Sequence, residues 1–304
     1  MQYPLTNAAP TGRPDNGDAD LVRFLALERL DRDLFSGMCH RGGTGRAFGG
    51  HLAAQALAAA GHTVDADRRV HSLHGYFLRP GELHQPMLYH VERLRDGRSY
   101  GARRVTAFQG GEAVFTLSAS FKSPEDTADR QRPMPSVPAP EELPDPYPMW
   151  ARTRPKDFAA SVYRRVVSMR VVPRSDRPGP PAPSGVTEYV LWMRAVEPLP
   201  DDATLHGCAL TYASDLAPGA VAAMAHEEPR MLRSAPDRVF TASLDHSMWF
   251  HRPFRADEWL LFVVRSPSES DGRGLATGKV WTREGELAAS FAQEVVVRPL
   301  PPAS

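Results

Sequence analysis

Between Gly49 and Gly61 the sequence GGHLAAQALAAAG places Ala, Gly or Leu at nearly every position and carries no charged side chain. Ala and Leu are strong helix formers, so the composition predicts a helix over 48–60 that stops at Gly61. A surface helix of a globular protein shows one apolar stripe and one charged face. This one has small residues on nearly every side, which suits a helix closely wrapped by a sheet, where bulky side chains would hold the two layers apart.

The rest of the chain supplies such a sheet twice. Leu21, Phe24, Leu25, Leu27, Leu30 and Leu34 recur at near-helical spacing as a short lead-in. After the small-residue helix come strand-like runs RVHSLHGYFL, PMLYHVERLR and YGARRVTAFQGGEAVFTLSASFK, the last split by Gly110-Gly111 into two arms of a hairpin. From Ser123 to about Pro155 neither a period of 2 nor of 3.6 survives, and the proline-rich stretch reads as an extended linker between two compact units. The pattern then restarts: strands SVYRRVVSMRVV and EYVLWMRAV, a helix ATLHGCALTYASDLA ended by Pro218-Gly219, and strands through VFTASLDHSMWFHRP, EWLLFVVRS, GLATGKVWT and ELAASFAQEVVV. Phe77-Leu78-Arg79-Pro80 matches Phe250-His251-Arg252-Pro253, and with a small gap Ala119-Ser120-Phe121 matches Ala289-Ser290-Phe291. The expectation is an α+β protein made of two copies of one unit, 21–123 and 156–304, joined by 124–155 and preceded by a disordered tail, 1–20. A repeat of about 170 residues excludes a solenoid.

With 304 residues, 42% of them hydrophobic, the chain can furnish a sizeable core. Lys and Arg number 36 and so do Asp and Glu, so the whole-molecule field favours neither nucleic acid nor an acidic membrane as partner. The only cysteines, Cys39 and Cys208, form no C-x-x-C pair, which argues against a disulfide framework or a structural zinc. No apolar run reaches membrane-spanning length, the first twenty residues lack a signal-peptide core, and the chain does not end in a Ser-Lys-Leu type address. A cytoplasmic protein without membrane insertion is expected.

FGGHLAAQAL (48–57), HSLHGYFLRPG (71–81), LRDGRSYGARRV (94–105), ASFKSPE (119–125), YASDL (212–216), DHSMWFHRPF (245–254), EWLL (258–261) and ASFAQEVVVR (289–298) together resemble the acyl-CoA thioesterase II family. The resemblance covers most of the chain outside the tail and linker. It implies a double hotdog fold, in which each unit wraps a long helix in a curved antiparallel sheet. It also implies hydrolysis of fatty acyl-CoA to the free acid and CoA, with no metal or organic cofactor, in a homo-oligomer (dimer or tetramer). The family's Asp, hydroxyl residue and Gln around a nucleophilic water fall on Asp215, Ser243 and Gln293. Ser243 is a departure, the family usually having Thr there; it keeps the hydroxyl and loses the methyl that stiffens χ1. His51, where the family more often has Gln, is a second. With Gly49 and Gly50, it is expected to line the substrate site, the glycine N–H groups at the helix N-terminus receiving the thioester oxyanion. For Gly49 and Gly50 a tight turn into a closely packed helix is the competing explanation.

Other motifs carry less. GGTGRAFGG lacks the Lys-Ser/Thr of a phosphate loop. His71 and His74, three apart on a strand, face opposite sides and do not share a metal. Arg103-Arg104 reads as an exposed hairpin pair, with CoA phosphates as the alternative, and Trp249, Phe250 and Trp259 read as core or channel wall. Two competing functions remain: a hotdog enoyl-CoA hydratase, which would want a His some five residues after the Asp and finds none in YASDLAPGAV, and a non-catalytic acyl-CoA binding protein. On a strand, adjacent positions face opposite sides, so Ser243, Asp245 and His246 do not line up as a hydrolytic triad.

Overall fold

The computed structural model describes residues 20–40, 45–177, 186–223 and 239–300; the expected tail lies outside them except for Asp20. The first repeat runs α1 (Leu21–Leu25), β1 (Glu28–Asp31), β2 (Leu34–Gly37), α2 (Gly49–Gly61), β3 (Arg69–Phe77), β4 (Met87–Asp96), β5 (Tyr100–Gln109) and β6 (Glu112–Lys122). Two short helices, α3 (Pro146–Thr153) and α4 (Pro155–Ala160), lead into the second: β7 (Val167–Val171), β8 (Thr187–Ala195), α5 (Ala203–Ser214), α6 (Pro218–Ala223), β9 (Val239–Ser243), β10 (Asp245–Phe250), β11 (Leu260–Ser270), β12 (Arg273–Trp281) and β13 (Leu287–Pro299). Each repeat is thus two strands, a helix, then four strands, with α6 and β9 as additions to the second. Pro218-Gly219, expected to end a helix, starts one instead, because proline lacks only an N–H that the first turn leaves unbonded anyway.

All thirteen strands form one sheet, ordered β1-β2-β4-β5-β6-β3-β10-β13-β12-β11-β8-β7, with β9 also paired to β13. The second half of that order repeats the first in reverse, so the repeats meet through β3 and β10, which pair antiparallel. His74 lies opposite Ser247 there. Aligned on the two Phe-x-Arg-Pro motifs, these residues hold the same place in the two repeats, so a pseudo-two-fold axis passes between them. The hairpin expected at Gly110-Gly111 is present; both glycines have positive φ, 59° and 83°, the backbone that a two-residue hairpin turn requires.

Helices α2 and α5 lie antiparallel on one side of the sheet. A Cβ on Gly50 would stand 2.6 Å from the Tyr212 carbonyl oxygen near the end of α5, and one on Gly61 would stand 2.5 Å from Thr204 Cγ2 at its start. The small residues of α2 therefore serve two neighbours, the strands β3 to β6 around it and α5 beside it. From Leu52 to Ala60 its apolar side chains are almost wholly buried.

The proline-rich segment is not free of its surroundings. It crosses the outer face of the second half of the sheet. Gln131 joins Gly285 and Leu287, the Trp192 indole N–H donates to the Pro138 carbonyl, and Arg283 pairs with Glu141. The segment's Leu143 packs there with Val172, Val190, Trp192, Leu261, Val263 and Trp281 in a second apolar cluster. This explains why EWLLFVVRS reads as a continuous apolar run: strand β11 is buried on both faces from Leu260 to Val264.

Candidate active site

The site forms where the C-terminus of α5 meets the N-terminus of α2. Asp215 is the C-cap of α5. Helix α2 begins after Phe48, whose side chain cannot cap it, and has no acidic residue in its first turn. The missing partner comes from Asp215, whose carboxylate accepts the Gly50 N–H. A Cβ on Gly49 would come within 2.9 Å of Asp215 Oδ2. The two glycines are therefore required by close approach to α5. Burial pushes the Asp215 pKa up to about 6, opposed by hydrogen bonds from Gln293, the Gly50 N–H and Ser243.

Gln293 reaches Asp215 from β13. Its Nε2 donates to Asp215 Oδ1 at 2.7 Å and to Ser243 Oγ at 2.7 Å, and the Ser243 hydroxyl makes a longer contact of 3.5 Å to the same carboxylate oxygen. Gln293 Oε1 faces His246 Nδ1 at 2.5 Å, and His246 Nε2 lies 2.8 Å from Ser214 Oγ. Burial holds His246 down at about 4. Ser243 and His246 are three apart, a spacing that on an unbroken strand would aim them to opposite faces. A one-residue slip removes that conflict: β9 pairs Ser243 with Val295, whereas β10 pairs Ser247 with Ala292. An extra residue on one strand re-aims the side chains beyond it. Asp245 steadies the irregularity by accepting the Glu294 N–H at 2.6 Å.

Asp215, Ser243 and Gln293 are brought together. Gly49 and Gly50 adjoin them, but the Gly50 N–H is engaged by Asp215 rather than open to an oxyanion. His51 does not face an opening. It is fully buried, its Nδ1 accepts the His40 N–H, and its Nε2 is therefore the protonated nitrogen that donates to the Phe24 carbonyl. Gln55, one turn on, donates to that same carbonyl at 2.7 Å, so His51 and Gln55 together tie α1 to α2. Of the arginine pair expected to be exposed, only Arg104 is, paired with Glu92. Arg103 is fully buried, because its guanidinium satisfies Thr63, the Arg95 and Ala102 carbonyls, and Asp96. Nor is Trp249 core: it is 40% exposed on the outer face against His74. Trp259 lies near Arg170 and Arg194, which line an outer groove with it.

Two residues of the network, His246 and Ser214, carried no expectation of function. A sequence signal existed for their neighbour: Ala289, Phe291, Gln293, Val295 and Val297 share one parity of β13 and are all buried, so a Gln among them must have a polar partner inside. On β10 His246 shares its parity with the buried Met248, and what the bulge hid is that this parity faces the same side as Ser243.

Comparison with known proteins agrees with the geometry. Family profiles for the acyl-CoA thioesterase N-terminal domain and the acyl-CoA thioesterase C-terminal domain match residues 40–122 and 132–297. The chain is 38% identical to acyl-coenzyme A thioesterase 8 of Mus musculus over 98% of each chain. It is 35% identical to acyl-CoA thioesterase 2 of Haemophilus influenzae over 92% of this chain and 97% of that one. The crystal structure of acyl-CoA thioesterase II TesB2 from Mycobacterium marinum superposes with a TM-score of 0.78 at 40% identity, covering 93% of this chain and all of that one. A hot dog fold protein from Alicyclobacillus acidocaldarius, 21% identical, superposes with a TM-score of 0.69 over 93% of this chain and supports the fold alone. Two helix-wrapping repeats in one sheet, full-length similarity and both domain profiles place this chain in the acyl-CoA thioesterase II family, with a double hotdog fold.

Proposed function

We propose that the chain hydrolyses fatty acyl-CoA thioesters, with Asp215 as general base toward a water held by Ser243 and Gln293. The observation that carries this is the buried carboxylate of Asp215, raised to about 6 by its surroundings and bonded by the Gln293 amide. A base with a pKa near the working pH is ionised yet still able to take a proton. The water attacks the thioester carbonyl and its proton passes to Asp215; the C–S bond then breaks, and the same proton goes to the departing CoA sulfur. The developing oxyanion is assigned to the Gly49 N–H in the first turn of α2. The acyl chain is assigned to a crevice lined by Leu21, Met193, Ala209, Ala213, Leu260 and Phe262, which reaches within two residues of Asp215. A homo-oligomer and a cytoplasmic location complete the reading. The exposed Tyr76 and Trp249, at equivalent places on β3 and β10 beside the pseudo-two-fold axis, offer a face for a second copy.

The test is CoA release from acyl-CoAs of several chain lengths, followed with a thiol reagent. Turnover is expected, with Asp215→Asn losing about 100- to 10,000-fold in kcat. Binding without CoA release at any chain length would leave the non-catalytic reading, and unchanged turnover in Asp215→Asn would remove Asp215 as the base. Ser243→Thr is expected to keep its rate within about tenfold, since the hydroxyl survives.

A further inference from the structure

Gln293 can serve Asp215 only with its amide one way round. Both hydrogens of Nε2 are committed, one to Asp215 Oδ1 and one to Ser243 Oγ, each at 2.7 Å. Turned by half a revolution, the amide would set its own oxygen against the carboxylate. The group that faces Oε1 decides between the two orientations, and it is His246 Nδ1 at 2.5 Å. Only a protonated Nδ1 fits opposite an amide oxygen. A neutral imidazole with its proton on Nδ1 has a bare Nε2, which accepts the Ser214 hydroxyl at 2.8 Å. That hydroxyl has a competing acceptor in the Thr211 carbonyl at 2.9 Å, so the opposite tautomer would be tolerated at this end of the chain and refused only at the Gln293 end.

The other repeat lacks this wiring. Carried across the pseudo-two-fold axis by strand register, His246 falls on Leu73, and Gln293, rather than the Ala289 of the sequence match, falls on Ala119, which pairs directly with Leu73 as an apolar couple. Polar residues here are thus not demanded by the fold itself.

We propose that His246 and Ser214 are positioning residues: the Nδ1–H of His246, with Ser214 on its far nitrogen, fixes the amide of Gln293 so that its N–H groups hold Asp215 and Ser243. This rests on the hydrolytic reading above and adds to it two residues that act through Gln293 alone.

The experiment is a mutant cycle on the full chain, with folding checked by circular dichroism. His246→Leu, the residue present at the equivalent place, is expected to lower kcat about 10- to 100-fold with KM changed by less than about threefold. His246→Asn, whose amide N–H can stand in for Nδ1–H, is expected to stay within about fivefold of the parent. In a Gln293→Ala background His246→Leu should cost less than about twofold more, because residues acting as one unit are non-additive. An equal loss with and without Gln293, or an Asn variant as poor as the Leu variant, overturns the proposal. If His246→Leu does not fold, the 15N spectrum of the unsubstituted protein decides: the proton on Nδ1 supports it and the proton on Nε2 overturns it. Binding without CoA release at any chain length would instead sink the hydrolytic reading, and the spectrum would still report the tautomer.

Discussion

Asp215 lies between two opposed helix ends, the C-terminus of α5, which disfavours its charge, and the N-terminus of α2, which favours it. Burial is the larger effect, and it sets the pH behaviour. Since the base must be ionised, kcat/KM is expected to rise with pH to a plateau with a midpoint near 6. A flat profile from pH 5 to 8 would contradict this. The sign for stability is opposite. The folded protein holds the Asp215 proton more tightly than the unfolded chain, so the contribution present below the ordinary aspartate value of 3.8 is lost as pH rises through about 6, a cost of roughly 3 kcal/mol. At Gly49 a single methyl should be felt by both quantities. Gly49→Ala, meeting Asp215 Oδ2 and the Phe77 ring, is expected to cost ~1–3 kcal/mol in urea unfolding and at least about tenfold in kcat.

Among the elements, α2 was legible because small residues on every side suit a helix wrapped closely by its neighbours, and the hairpin was legible from two adjacent glycines. What alternation could not disclose is the slip between β9 and β10. A strand pattern presumes unbroken parity, and one extra residue before His246 reverses the inference for everything after Ser243. Asp215, Ser243 and Gln293 were likewise reached by resemblance rather than by pattern, since they come from a helix end and two strands far apart in sequence. Helix α1 contributes Leu21 to the crevice assigned to the acyl chain, which as folded has room for only about 10 Å³, no more than one water-sized sphere. Leu21→Ala should enlarge it. The expected result is a shift of the preferred acyl length upward by two or more carbons in kcat/KM; an unchanged length profile would place the chain elsewhere.

The linker and the sheet make the two repeats one body. A texture change at Ser123 suggests separate units, but the pairing of β3 with β10 and the packing of α2 on α5 join them through the middle of the molecule. Edge pairing of this kind leaves no mark in either strand's composition. Thermal unfolding is expected to show one transition, the same by tryptophan fluorescence, which reports mainly the second repeat, and by far-ultraviolet circular dichroism, which reports both. Two separated transitions would show that the repeats fold independently. The single covalent chain has a further consequence. In a pair of identical subunits every substitution is made twice, so a polar residue installed for chemistry must also be tolerated at its mirror position. Here Gln293 could be acquired while Ala119 stayed apolar, and His246 while Leu73 stayed apolar. Fusion uncouples the two mutations: one half is free to acquire reactive side chains, while the other keeps apolar strands and serves the site through its backbone, as at the Gly50 N–H.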